Sequence, residues 1–143
     1  LCMVGPDKDG SLNEVIQIAK EKNVYHCLEI TGLLSKSEWI KKSTEFDIFI
    51  NTTTVDNVPV SVIEAMALGL PVISTNVGGI PFLLKNNENA LLVNDNDSVH
   101  MANSIITLIE DQEKALLLSK KGRAFVEQMD WDVVKNQWNR LLS

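Results

Sequence analysis

The chain has 143 residues, 45% of them hydrophobic, enough for one ordinary core and too little for two full domains. Its 13 basic and 19 acidic residues leave a net charge of -6, which excludes a general nucleic-acid or anionic-membrane surface, since either needs a basic face. No run approaches the ~18 apolar residues that span a bilayer, and no signal-peptide pattern is present, so the reading is a single soluble, cytoplasmic domain over residues 1–143.

Leu1 already stands in a strand-like run, LCMVG, with no initiator Met, and the chain therefore reads as a fragment of something longer. After the strand Leu1 to Val4, SLNEVIQIAKEKN places Ser11 and Glu14 at capping-box spacing and Val15, Ile18 and Ala19 on one helical face. Tyr25 to Ile30 reads as a second strand, SKSEWIKKSTEF as a helix capped by Ser35 or Ser37, and Asp47 to Asn51 as a third strand. The next helix runs from Pro59 to Leu68 and is closed by Gly69, with a strand restarting at Pro71 and ending at Thr75. A turn near Ile80 to Leu84 precedes the last strand, Ala90 to Val93. Three helical stretches finish the chain, Asp97 to Glu110 with Ile105, Ile106 and Ile109 inward, Gln112 to Gln128, and Asp132 to Leu142, with Trp131 and Trp138 as packing anchors.

Short apolar strands each followed by a helix predict an α/β fold, a Rossmann-like doubly wound parallel sheet covered on both faces, with helices at its C-terminal end. Ligands of such sheets sit outside the carboxyl ends of the strands, which here means the loops Thr52 to Pro59 and Asn76 to Ile80. Cys2 and Cys27 fall in apolar runs without a C-x-x-C partner and read as buried reduced thiols. His26 and His100 are isolated, so a ligand role is not expected of either. Asn51-Thr52-Thr53 and Asn96-Asp97-Ser98 match the glycosylation acceptor pattern and, without a secretory signal, read as chance matches.

Glu64 is the one ionisable side chain between Asp56 and Lys85, inside VPVSVIEAMALGLPVISTNVGGIPFLL. A carboxylate in so apolar a setting must be paired, protonated, or set at the wall of a ligand site. Local backbone N–H groups could satisfy it. Its neighbourhood favours a ligand, with Asp56 eight positions earlier in a loop, Pro59 starting the helix and Gly78-Gly79 after the next strand.

The run DNVPVSVIEAMALGLPVISTNVGGIP resembles the signature of retaining GT-B glycosyltransferases of family 4, the group 1 type. LCMVG, EITGLLS, DIFIN, LLVNDND and MDWDVVKNQW follow the order of that family's C-terminal domain. The resemblance implies a nucleotide-sugar-binding lobe and a part in polysaccharide biosynthesis. Glu64 would accept from the ribose hydroxyls and Asp56 would face the transferred sugar, the two acting as the catalytic pair. Two acceptor oxygens match a vicinal diol. Val60 and Ser61 would turn their amides to the diphosphate, Asn57 would carry the sugar contact directly or through a water, Val58 would be one of the substrate-binding residues, and Gly32 and Leu33 would stand where the family holds the base. The implied partners are a nucleoside diphosphate sugar and a glycan or lipid-linked acceptor, the latter held by an N-terminal domain not in this chain. No metal or other cofactor is implied, and the longer protein is free to associate peripherally with a membrane.

Several residues depart from the family pattern. Asp56 stands where Glu is usual, Asn57-Val58-Pro59 replaces G-F-G, Pro59 lacks an N–H that Gly would supply, and Phe82 occupies the place of a common acid. The family's first strand and basic loop are missing, so the fragment alone is expected to be inactive. Three other readings stay open here: a GT-A transferase using Asp95-Asn96-Asp97 for a metal, a non-catalytic nucleotide-binding or interaction module, and a GT-B sugar-nucleotide 2-epimerase. Against the first, Asp97 reads as the N-cap of the helix at Ser98 and Asp95 as a turn residue.

Overall fold

In the computed structural model, residues 1–142 are described, and the chain divides into two compact units at Thr44 and Glu45. In the first unit, β1 (Cys2–Val4) and β2 (Glu29–Gly32) pair in parallel, Cys2 opposite Glu29 and Met3 opposite Ile30, with an irregularity before Val4 meets Gly32. The crossover between them is α1 (Ser11–Glu21), and α2 (Lys36–Ser43) follows β2. Ser35 caps α2 in a complete capping box, its hydroxyl accepting from the Glu38 amide while the Glu38 carboxylate accepts from the Ser35 amide.

The start of α1 differs from expectation. Gly10, at φ +82°, is the N-cap, and Ser11 is already helical, so no Ser11–Glu14 box forms. Asp7 and Asp9 accept from the amides of Gly10 and Ser11 instead, a carboxylate-built turn that does the work of the cap. Ile18 also lies 44% exposed, leaving Ala19 as the buried residue of the helix. Tyr25–Cys27 forms a 3-10 turn rather than a strand, because α1 ends through Asn23 at φ +56° and the chain needs a tight turn before β2. The Cys27 thiol is consequently exposed, not buried, and neither Cys2 nor Cys27 forms a disulfide.

In the second unit, β3 (Phe49–Asn51), β4 (Val72–Thr75) and β5 (Leu91–Val93) form a parallel sheet in that order. The intervening helices are α3 (Val60–Ala67) and α4 (Ile80–Leu83), and α5 (Ser98–Glu110), α6 (Gln112–Glu127) and α7 (Trp131–Leu142) complete the chain. All four residues of β4 are buried. Val72 packs with Val62, Met66, Ile80 and Leu84, whereas Ile73 packs with Met101, Leu108 and Leu118, so successive residues feed two cores on opposite faces. The parallel strands with flanking helices are the expected α/β arrangement.

Asp97 caps α5 by accepting from the His100 amide at 2.9 Å, and Asp95 folds back on Asn96. The buried face of α5 is Met101, Ser104 and Leu108 with Ile105 beside them. Ile106 and Ile109, expected inward, are 49% and 62% exposed, because the helix is rotated to put Met101 under the sheet. Trp131 and Trp138 are likewise exposed, and α7 buries no residue, so neither anchors a core.

Candidate functional site

Two loops leave the carboxyl ends of β3 and β4, and local chemistry ties them together. Asn51, the last residue of β3, donates through Nδ2 to Ser74 Oγ of β4 at 3.0 Å. Thr75 Oγ1 donates to the Thr53 carbonyl, and Thr53 Oγ1 to the Val55 carbonyl. Farther along, the Gly79 amide donates to the Asp56 carbonyl at 2.8 Å.

The pair Gly78-Gly79 makes this approach possible. Gly78 has φ +55°, and a Cβ there would overlap the Asp56 carbonyl oxygen; a Cβ on Gly79 would overlap that of Asn57. Backbone meets backbone where side chains would otherwise stand. The sequence marks these glycines as neighbours of the site, and the structure shows why: they set the position of the loop that carries Asp56 and Asn57. Asp56 is half-buried, and Asn57 and Val58 are exposed.

Pro59 is buried and opens α3 without any side-chain cap. Its carbonyl accepts from Val62 and Ile63, which places the Val60 and Ser61 amides ahead of the helix ladder, on exposed residues. Uncapped amides at a helix start favour an anion. Glu64 lies one turn on from Val60 and is half-buried, while Val62, Ala65 and Met66 hold the other face of α3 in the core. The helix closes on Gly69 at φ +82°, with Gly69 donating to Met66 and Leu70 to Ala65, the paired bonds of a Schellman end. Ser119 Oγ of α6 then donates to the Gly69 carbonyl at 2.6 Å. Glu64 thus stands on a helix fixed at both ends.

The structure brings Asp56, Asn57, Val58, Val60, Ser61 and Glu64 onto one loop and the first turns of one helix. Gly32 and Leu33 belong to the first unit: Gly32 ends β2 at φ +67° and accepts from the Gly5 amide, and Leu33 is 79% exposed. A cavity of about 250 Å³ between β5, α5 and α6, lined by Asn86, Asn87, His100 and Lys114 among others, contains none of the predicted site residues. Among the described residues no group of His, Cys, Asp and Glu forms a metal-binding cluster, and no helix is long and apolar enough to cross a membrane. Sequence reasoning passed over the bond between Thr53, two residues past β3, and Thr75, the last residue of β4, and gave Phe82 no part beyond its departure from the family pattern.

Residues 1–111 match the family described as glycosyl transferases group 1. The amylovoran biosynthesis glycosyltransferase of Erwinia amylovora is 31% identical over 107 residues, covering 71% of this chain and 26% of that protein. The sulfoquinovosyl transferase of Arabidopsis thaliana is 29% identical over 104 residues, covering 71% of this chain and 20% of its relative. Among solved structures, sucrose-phosphate synthase of Thermosynechococcus elongatus is similar with a TM-score of 0.86 at 27% identity, over 99% of this chain and 37% of that one. Anabaena HepE, solved in complex with UDP, gives a TM-score of 0.85 at 24% identity, over 99% and 40% respectively. The likeness to HepE is one of fold. The chain spans between 20% and 40% of the length of these proteins.

Proposed function

Since the chain belongs to the glycosyl transferases group 1 family, we propose that it is the donor-binding lobe of a retaining glycosyltransferase that moves a sugar from a nucleoside diphosphate to a glycan or lipid-linked acceptor. On this reading the lobe works within a longer protein, as its coverage of 20% to 40% of the relatives' length supports. The observation that carries the reading is the uncapped start of α3, with Glu64 one turn along it and Asp56 held beside it by Gly78-Gly79.

Each group has a distinct task. The Val60 and Ser61 amides meet the diphosphate, where negative charge grows as the glycosidic bond breaks, and fixed donors there stabilise the leaving group without reorganising. Glu64 accepts from the ribose diol; being set on a packed helix, it loses little freedom on binding. Asp56 accepts from the sugar's hydroxyls and orients the ring, with Asn57 and Val58 along its edge. Glu64 positions and does not attack, and departure and acceptor attack occur on the same face of the sugar. Metal is not required for donor binding on this reading. A cytoplasmic location suits two cysteines that form no disulfide.

Calorimetric titration of the longer protein with uridine, guanosine and adenosine diphosphates, with chelator and with manganese or magnesium, tests the site. Binding in chelator is the expected result, and binding that needs the metal would count against it. The anomeric configuration of the product by NMR tests retention.

A further inference from the structure

Phe82 is 91% exposed, the most exposed large hydrophobic residue among those described. Its helix is seated by Ile80 and Leu83, 0% and 6% exposed, and by the following Leu84 at 1%. The outward direction of Phe82 is therefore imposed by the seating of α4. The same short helix is bonded to the Asp56 loop, since the Phe82 amide donates to the Gly79 carbonyl at 3.1 Å and the Gly79 amide to the Asp56 carbonyl at 2.8 Å. Two hydrogen bonds separate the backbones of Phe82 and Asp56. On that loop Val55 and Val58 are also exposed, at 82% and 59%. Exposed apolar side chains thus stand on two segments joined by backbone bonds at the half-buried Asp56, and small-molecule sites combine such apolar surface with a few orienting polar groups.

We propose that Phe82 is a specificity-determining residue: its ring takes the apolar face of the donor's sugar and favours a sugar with a methyl group in place of the exocyclic hydroxyl, a 6-deoxyhexose, over the corresponding hexose. The proposal rests on the donor-site reading above. Asp56 takes ring hydroxyls as an acceptor. Phe82 offers neither donor nor acceptor, so a hydroxyl pressed against it loses water without gaining a partner, whereas a methyl group loses nothing. Removal of the exocyclic hydroxyl is the one single deoxygenation of a hexose that leaves a methyl, the largest apolar surface for the loss of one polar group. A hexuronate, with a carboxylate at that carbon, is disfavoured most, by the apolar ring and by the charge of Asp56. An apolar wall discriminates against an added hydroxyl modestly, so the expected preference is about tenfold in kcat/KM and not several thousandfold.

The test uses the longer protein and three donors on one nucleotide: hexose, 6-deoxyhexose and hexuronate. The parent is expected to rank them deoxyhexose, hexose, hexuronate. Phe82→Ser, on an exposed site that tolerates the change, should bring the first two within about threefold of each other while nucleoside diphosphate affinity stays at the parent value. Phe82→Leu keeps an apolar wall and should retain the order. Equal loss on all three donors, an unchanged ranking in Phe82→Ser, or a change confined to the acceptor's KM overturns the proposal and leaves the donor site standing. Failure of the parent to bind any nucleoside diphosphate overturns the site reading and the proposal with it.

Discussion

Gly79→Ala isolates the loop-to-loop contact that positions Asp56. Gly79 has φ -85° and ψ -7°, a conformation alanine adopts freely, so the substitution carries no dihedral strain and acts through space alone. Its Cβ would overlap the Asn57 carbonyl oxygen and stand 2.7 Å from the carbonyl carbon and 3.0 Å from Cα. All three atoms are backbone, with no side chain to swing aside. Restoring ordinary contact moves the Asp56–Asn57 loop by about 1 Å, at a packing cost of about 1–3 kcal/mol. The Gly79 to Asp56 hydrogen bond stretches as well, which adds about 1 kcal/mol. A displacement of that size at a sugar-orienting carboxylate lowers turnover about 100-fold. Gly69→Ala serves as the comparison: its Cβ meets only Ser119 Oγ at 3.8 Å, but φ is +82°, so it costs about 1–2 kcal/mol of left-handed strain without moving the Asp56 loop. Urea denaturation and donor kinetics on both variants of the longer protein separate the two effects. If Gly79→Ala matches the parent in stability and turnover, the locked-loop account is wrong.

Glu64→Gln, which removes a charge-assisted acceptor worth about 1.5–3 kcal/mol, should weaken nucleoside diphosphate binding, whereas Asp56→Asn should leave that affinity intact and lower turnover with the sugar donor; titration of both with the bare nucleotide checks this, and equal losses refute the division of roles. Ser35→Ala should destabilise the start of α2 by about 1 kcal/mol, read by hydrogen exchange of the Lys36–Ser43 amides. The Ser35 hydroxyl, then its amide, hold the Glu38 carboxyl below its ordinary value of 4.5, so the cap's contribution is complete above that pH and is lost as pH falls through the lowered value; a protection profile flat across that window would refute it. Met66→Ala, at a fully buried position, should cost about 2–5 kcal/mol, and Ile106→Ala, on the exposed face of α5, less than about 0.5 kcal/mol, both by denaturant titration.

The α/β character was legible because every strand of the second unit is a short apolar run bounded by turn residues. β4 is the plainest case, with each of Val72 to Thr75 buried. The Asp97 cap and the Gly69 helix end were legible for a related reason, since each depends on one residue type meeting a local backbone need. Ser11 shows the limit of such reasoning. A serine followed by glutamate at the right spacing can cap a helix, but Asp7 and Asp9 supply competing acceptors two and four residues earlier and win the amides of Gly10 and Ser11. Tyr25–Cys27 fails differently: its β-favouring side chains describe a preference, and the turn needed after α1 overrides it.

The site divides along the same line. Glu64, the α3 start and the glycine pair could be found in the sequence because their chemistry requires residue types that the surrounding apolar run otherwise avoids. Phe82 could not, because a phenylalanine between Pro81 and Leu83 looks like one more core residue until α4 is seated. Only then does the burial of Ile80, Leu83 and the following Leu84 leave Pro81 and Phe82 facing outward. The sheet face that buries Val72 seats α4, α4 fixes the direction of Phe82, and Gly79 links that helix to the Asp56 carbonyl. On the proposed function, the nucleotide would meet residues that the chain's chemistry selects one by one, whereas the sugar contact at Phe82 would depend on how α4 packs on the sheet. Because α3 and α4 share the core around Val72, substitutions beneath α4 are expected to alter nucleotide affinity and sugar preference together.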